Sequence, residues 1–411
     1  MPGADVITDR RRRFYVTVGV LLAVWAAALL VLSATVIPDM YWYSYYSIDY
    51  TVGFVRRGLA GELAALFPGQ NYFLEQRVGR WFSSGAFIIG LAGLAWWVAA
   101  RSGRSERRLQ LAFLVVILPF GFAFGLLQAG STLFGGAVLA GFAIALAASE
   151  SDRSVFIASA VFGAVTAVAT LVHEAIPLLY GLGVIAALAV LASHLNRKGF
   201  WTSCALALGP GMLTGLVVAV FGRRGISEEL CEFVPQGWVN NPLAGNPTTG
   251  QLLSGYTYYV DYQDWACRNI TPFYDRHLID AVNYVGRLGA GGMIVNTLFG
   301  MGIVAISILA LSRVSGVPFQ RMRTLLGQRW PAVVIGFCLI LPVFMTGIDW
   351  VRWWVVIAFD IGIVYLLYAS KQPEVDLPPS RRSMRVFVST MILLALFPVG
   401  IVPAFGAPLP I

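Results

Sequence analysis

Charge is what this sequence has least of. Only 12% of its 411 residues are Asp, Glu, Lys or Arg, while 58% are apolar; a soluble domain carries roughly a quarter charged residues. The deficit excludes an ordinary soluble globule. Cysteine is sparse as well, and four residues are too few for a disulfide scaffold. There is no low-complexity tail and no internal repeat. The net charge of +8 raises nucleic acid as a partner, but the basic residues stand between apolar runs, where membrane topology accounts for them. What the chain has instead is a series of apolar runs near 20 residues, the length of a helix that crosses a bilayer.

The expected fold class is therefore all-α: a polytopic transmembrane helical bundle of about eleven spans, forming a single transmembrane domain over 1–411. Arg10–Arg13 precede the first run, Phe14–Ile37. That run is longer than the apolar core of a signal peptide, so it reads as an uncleaved span with a cytoplasmic N-terminus. Further spans are expected at 81–100, 109–127, 131–148, 154–172, 175–192, 201–221, 288–311, 331–347, 354–370 and 386–403, which leaves the C-terminus outside. On this plan 19 of the 29 Lys and Arg residues lie in cytoplasmic segments, as the positive-inside bias requires. Two outer segments are long. One is 38–80, where Gly58–Phe67 has the pattern of a short interfacial helix; the other is 222–286.

The unusual polar residues gather on the outer side. Six aromatics crowd positions 41–50, flanked by Asp39 and Asp49 and followed by Arg56–Arg57. Asp49, and less strongly Asp39, is a candidate catalytic acid, because a sugar hydroxyl attacks only when its proton is taken or shared; the plainer alternative is a loop acid paired with an arginine. Arg56 and Arg57 are suited to clamp a phosphate, against lipid head-group contact or pairing with Asp49. The aromatics suit sugar stacking, but an interfacial belt accounts for most of them. His173–Glu174 stands between two spans, where ionisable groups are costly and usually partnered; it is a candidate substrate or phosphate contact. It lacks metal-ligand spacing, since Pro177 occupies the place of the second His in an HExxH motif. Asp349 and Arg352 share a helix face at i, i+3, either as an internal ion pair or with Arg352 on a phosphate. Asp360, deeper in its span, must be neutral or paired. In 222–286, Cys231 and Cys267 are placed for a disulfide in an oxidising compartment, and Arg268, Arg276 and His277 add further polar candidates. Cys204 and Cys338 fall in spans and read as buried apolar residues.

This layout of a cytoplasmic N-terminus, a first span and an outer loop with an acid, aromatics and an interfacial helix resembles the GT-C superfamily of integral membrane glycosyltransferases. The segments GFVRRGL, HE and DWVRW also resemble motifs in polytopic proteins of bacterial surface-polysaccharide loci. The resemblance covers the first 100 residues or so in layout and the rest in span count. It implies a polyprenyl-phosphate sugar donor, a glycan or lipid acceptor, a catalytic acid at Asp49 (less well Asp39), and donor-phosphate contacts at Arg56, Arg57 and Arg352. Two departures stand out: the paired acids of many members are absent, and so is their large C-terminal soluble domain. The resemblance names no cofactor; a divalent cation beside the phosphate is the one addition such chemistry allows. The expected location is the bacterial cytoplasmic membrane. A polysaccharide polymerase or ligase using Arg268, Arg276 and His277 is the alternative enzyme. A transporter is the alternative class, and would call for mid-membrane charge and a repeat between halves.

Overall fold

A computed structural model describes residues 9–36, 40–66, 72–100, 105–234 and 236–406. Asp39 lies outside the described residues. The apolar runs are helical, in the order α1 (Asp9–Thr35), α2 (Met40–Tyr43), α3 (Gly58–Ala65), α4 (Tyr72–Ala100), α5 (Glu106–Ile117), α6 (Phe122–Leu127), α7 (Leu133–Ala148), α8 (Asp152–Val172), α9 (Ile176–Leu191) and α10 (Arg197–Phe221). After the outer segment come α15 (Gly289–Ser315), α16 (Phe319–Gln328), α17 (Trp330–Thr346), α18 (Trp350–Ser370) and α19 (Arg381–Leu396). Each of the eleven expected segments contains helix, but 109–127 is broken between Ile117 and Phe122, and 386–403 outruns α19, which ends at Leu396. By length and composition eight helical stretches are able to cross a bilayer, counting α5 and α6 as one; α16 and α17 together make a ninth that is bent by 96°. The 16-residue α7 and α9 are apolar but shorter.

The breaks have local causes. Leu118 precedes Pro119 and takes an extended conformation (ψ 157°), which ends α5. Pro331 stands in the first turn of α17, where it is tolerated, but it cannot continue α16. The α16 helix carries Arg321 and Arg323 among apolar residues, the pattern of a helix lying on a membrane surface.

The bundle is organised around α18, which is buried along most of its length and packs on α4, α7, α9 and α15. The large apolar side chains of α1, α10, α15 and α19, such as Val20, Leu21, Val220, Leu298 and Leu393, are exposed. An apolar perimeter around an apolar interior is what lipid, not water, accommodates. Cys204 is buried as expected, but Cys338 faces outward from α17, because that helix offers only part of its circumference to α9. At the centre, Asp360 of α18 is fully buried, and its Oδ2 accepts the Gly183 amide of α9 at 3.0 Å. Gly183 is required there, since a Cβ would lie 2.8 Å from the Asp360 carboxyl carbon. This bond ties together the two helices whose near ends carry Glu174 and Arg352.

The 222–286 segment is more than a loop. It folds into α11 (Ser227–Phe233), α12 (Thr249–Leu253), α13 (Tyr262–Asn269), α14 (Leu278–Gly286) and a two-stranded antiparallel sheet of β1 (Trp238–Asn240) and β2 (Tyr259–Asp261). Cys231 and Cys267 form a disulfide with a Cα–Cα distance of 5.3 Å. The small core of Val234, Val239, Tyr262 and Ala266 includes Met40 and Tyr43 of α2, so this subdomain is seated on the segment that follows α1.

Candidate functional site

The site is built where four chain segments meet. The first is the 48–57 loop, held by two backbone bonds: Gly61 N–H to Ile48 C=O at 3.2 Å and Arg223 N–H to Phe54 C=O at 2.8 Å. A Cβ on Gly61 would lie 2.3 Å from the Ile48 carbonyl oxygen, so glycine lets α3 dock on the loop. Arg57 then precedes α3 in the left-handed region (φ 65°, ψ 5°). A non-glycine residue there costs on the order of 1–2 kcal/mol, a cost that clusters at functional positions. The second segment is the corner between α8 and α9. His173 leaves the helix in an extended conformation, its Nδ1 accepts the Ala175 amide at 3.2 Å, and Pro177 starts α9.

These two segments are clasped by the side chains of Arg57 and Glu174. Arg57 Nε donates to Glu174 Oε2 at 2.9 Å and Nη2 donates to Oε1 at 2.8 Å, the bidentate geometry that suits guanidinium and carboxylate. Arg56 Nη1 lies 3.8 Å from the same carboxylate. Burial pushes the Glu174 carboxyl up, but the charge and hydrogen bonds of the Arg57 guanidinium, with Arg56 nearby, hold it well below the usual carboxylate range. Burial, reinforced by Arg57, lowers His173 to about 3. With its Nδ1 accepting a hydrogen bond, the neutral ring carries its proton on Nε2.

The third segment is the start of α18, where Arg352 Nη2 donates to Asp349 Oδ2 at 2.7 Å and the guanidinium also bonds to Tyr45. Aromatic rings of α2 and the residues after it join all three. Tyr45 stacks on His173 with centroids 5.4 Å apart, Arg57 lies over the Tyr45 ring at 5.0 Å, and Arg352 lies over Trp42 at 5.0 Å. The hydroxyls of Tyr41 and Tyr45 are 3.0 Å apart. Trp42, Tyr43, Tyr45 and Tyr46 are buried, so they are not the interfacial belt expected from composition. Trp42, Tyr45 and Tyr46 are packed against α3 and the end of α8, with cationic groups over the rings of Trp42 and Tyr45, while Tyr43 enters the core of the 222–286 subdomain. The fourth segment comes from the outer subdomain: Arg56 donates to the Phe273 carbonyl oxygen and lies over the Tyr274 ring at 4.8 Å.

Arg56, Arg57, His173, Glu174, Asp349 and Arg352 are thus brought together. Asp49 is not. Its Oδ1 accepts the Thr51 amide at 2.9 Å and the Thr51 hydroxyl, and among the described residues no hydrogen bond or ion pair joins it to the cluster. Arg276 lies over the rings of Phe273 and Tyr284 at 4.1 and 4.9 Å. His277 is exposed at the start of α14, its amide bonded to Asp280 at 2.9 Å. Arg268 pairs on the surface with Asp264 at 2.8 Å. Sequence reasoning took Tyr45 only as one of six aromatics suited to sugar stacking or an interfacial belt, and did not single out Phe273 or Tyr274. The adjoining Phe273–Tyr274 and Asp275–Arg276 pairs were the one local signal. Among the described residues no three His, Cys, Asp or Glu side chains are grouped to hold a metal ion.

Fold and site together define a polytopic helical membrane protein with a partly buried cationic and aromatic cluster at one end of its bundle. The chain belongs to the family described as uncharacterised membrane protein Rv1490, whose profile matches residues 15–395. It is 36% identical over 400 residues to uncharacterized protein Rv1490 of Mycobacterium tuberculosis (strain ATCC 25618 / H37Rv), covering 96% of this chain and 92% of that one. Uncharacterized protein Mb1527 of Mycobacterium bovis is similar to the same extent, 36% over 96% of this chain and 92% of its own. No solved structure matches the chain significantly.

Proposed function

We propose that this protein is a glycosyltransferase of the bacterial cytoplasmic membrane, binding a lipid-linked sugar phosphate at the extracytoplasmic end of the bundle and moving the sugar to a cell-envelope glycan or lipid. The observation that supports this reading is the meeting of three guanidinium groups with only two carboxylates at a membrane boundary. The excess positive charge suits an anion. Arg57 is committed to Glu174 on its Nε–Nη2 edge and to Tyr45 on its face. Arg352 has only 11% of its side chain exposed and is held by Asp349. Arg56 is 34% exposed and engages a single backbone carbonyl, the Tyr274 ring and a distant carboxylate oxygen. It is the arginine placed to meet a phosphate.

In the transfer, the acceptor oxygen bonds to the anomeric carbon as the bond from that carbon to the phosphate oxygen breaks. The bonding pair leaves with the phosphate, where Arg56 meets the growing charge. The acceptor proton needs a carboxylate. Glu174 and Asp349 are each paired with a guanidinium, and Asp360 is buried in the core. Asp49 is the one of the four that is partly exposed, makes no ion pair among the described residues, and has an oxygen without a hydrogen-bond partner there. We assign it the proton: it stands on the same 48–57 loop as Arg56, outside the bonded cluster, and a bound acceptor would have to bridge the two. The alternative reading as a polymerase using Arg276 and His277 finds less support, since Arg276 is covered by two rings and His277 stands at a helix start.

The test is transfer from a radiolabelled polyprenyl-phosphate sugar panel in membranes holding the full chain. Arg56→Ala and Asp49→Asn are each expected to lower transfer on the order of 10²–10³-fold. Transfer at the wild-type rate in Arg56→Ala would sink the phosphate site. The same result in Asp49→Asn would remove that residue from the chemistry.

A further inference from the structure

The outer subdomain presents a second surface that the transfer site does not use. In the β1–β2 ladder Trp238 pairs with Asp261, Val239 with Val260, and Asn240 with Tyr259. Residues opposite one another in an antiparallel pair share a face, and successive residues alternate. Val239 and Val260 therefore point inward, onto the core that includes Met40 and Tyr43. The other face carries Trp238, Asn240, Tyr259 and Asp261. Trp238 is 70% exposed and Tyr259 57%. Asn240 Oδ1 is spent on the Tyr258 amide and Asp261 Oδ1 on the start of α13. The amide nitrogen of Asn240 and the second oxygen of Asp261 have no hydrogen-bond partner among the described residues. A three-residue ladder is marginal alone; here the disulfide and the α2 contact hold it rigid.

Two exposed rings on one diagonal of this face, with an amide and a carboxylate on the other, match the two sides of a sugar. Rings cover its C–H faces, and the polar atoms meet its hydroxyls. The charge pattern decides against an anionic membrane surface, because no Lys or Arg occurs between Arg224 and Arg268 while Asp261 and Asp264 do. Anchors to anionic lipid depend on basic residues near the surface. We propose that this face binds a neutral glycan, and that it holds the acceptor beside the transfer site. The two surfaces share one support: Val239 sits on Met40 and Tyr43 of α2, the helix that supplies Tyr41 and Trp42 to the cluster. Naming the ligand as acceptor rests on the transferase reading; the binding itself does not.

The test uses the full chain in nanodiscs on an array of short neutral hexose and pentose oligomers with anionic glycans as controls. Wild type is expected to retain a neutral subset, Trp238→Ala and Tyr259→Ala to bind it about tenfold more weakly, and Trp238→Tyr to recover part of the loss. Both side chains are exposed, so thermal stability is expected to stay at the wild-type value. Arg56→Ala is expected to keep glycan retention while losing transfer, so retention without Arg56-dependent transfer overturns the transferase reading alone. Retention of no neutral glycan above the level of a Trp238→Ala/Tyr259→Ala double variant overturns the glycan surface. Quenching of Trp238 fluorescence by lipids brominated near the head group, measured as the difference from Trp238→Phe, identifies a membrane anchor and overturns it too.

Discussion

Arginines withdrawn wholly or partly from solvent occur at both ends of this bundle, and they are satisfied in different ways. At the end expected to face the cytoplasm, Arg107 donates to the carbonyl oxygens of Val314, Leu377 and Pro378 at 3.0, 2.9 and 3.2 Å. Arg108 donates to Asp376 at 2.7 Å and to the Val98 carbonyl at 3.4 Å. These guanidiniums close the ends of α15 and the 371–380 connection over α5; the donors of Arg107 are consumed by backbone carbonyls, and Arg108 is locked on the Asp376 carboxylate. At the opposite end, Arg56, Arg57 and Arg352 face other side chains and aromatic rings, and part of Arg56 remains open to solvent. An arginine saturated by fixed carbonyls has finished its task when the chain is folded. An arginine held by rings and one shared carboxylate is, on the reading proposed above, the one left to meet a ligand.

Substitutions at the two ends are expected to separate these roles. The largest effect belongs to Arg107→Ala. It strands three carbonyls, and with about 1–3 kcal/mol for each that water does not reach, a loss of about 3–5 kcal/mol is expected, read as a fall in melting temperature with activity per folded molecule unchanged. Glu174→Gln comes next. It leaves Arg57 without its anion in a partly buried setting, for about 3 kcal/mol, and transfer falls with it. A Glu174→Gln protein as stable as wild type would show that the clasp is not structural.

His173 gives a smaller, pH-dependent effect. Its folded value of about 3 lies below its ordinary 6.5, so below pH 6.5 the unfolded chain takes up a proton that the folded protein refuses. Stability is present above 6.5 and is lost as pH falls, by up to about 1.4 kcal/mol per pH unit. Glu174 is also depressed and acts in the same direction, but only below its ordinary 4.5. The window between pH 5 and 6.5 therefore isolates His173, and His173→Gln is expected to flatten the slope of melting temperature against pH there. Smallest is Arg56→Ala, with a stability change under about 1 kcal/mol for a half-open ion pair beside its large loss of transfer. If Arg56→Ala unfolds the protein as Arg107→Ala does, the contrast between the two ends collapses.

Hydropathy made most of this bundle legible, because a helix in lipid must be apolar over its whole length and the signal adds up residue by residue. The short α3 was legible too, since Leu59, Leu63 and Leu66 recur at helical spacing. The outer subdomain was not, because strands of three residues and helices of five to nine carry too little periodicity to read. Burial of Trp42, Tyr45 and Tyr46 was illegible for another reason: Trp and Tyr suit a membrane interface and a packed polar cluster equally well. The local pair Asp349–Arg352 could be read from its spacing, whereas the clasp of Arg57 on Glu174 spans 117 residues of sequence and no local pattern announces it. Asp49 drew attention by its aromatic neighbours, yet those rings turn toward Arg57 and Arg352 while Asp49 closes its own turn with Thr51.

The disulfide has a consequence for how the protein matures. Its two cysteines are 36 residues apart, and for a closed loop of that length the chain-entropy argument gives about 4 kcal/mol. Cys267 lies just upstream of Phe273, whose carbonyl holds Arg56. A chain inserted under reducing conditions would assemble its bundle, driven by lipid and helix packing alone, but leave the outer wall of the site unfastened. Two preparations with identical sequence and identical helix content would then differ in competence, and the difference would record whether the newly made chain met an oxidant.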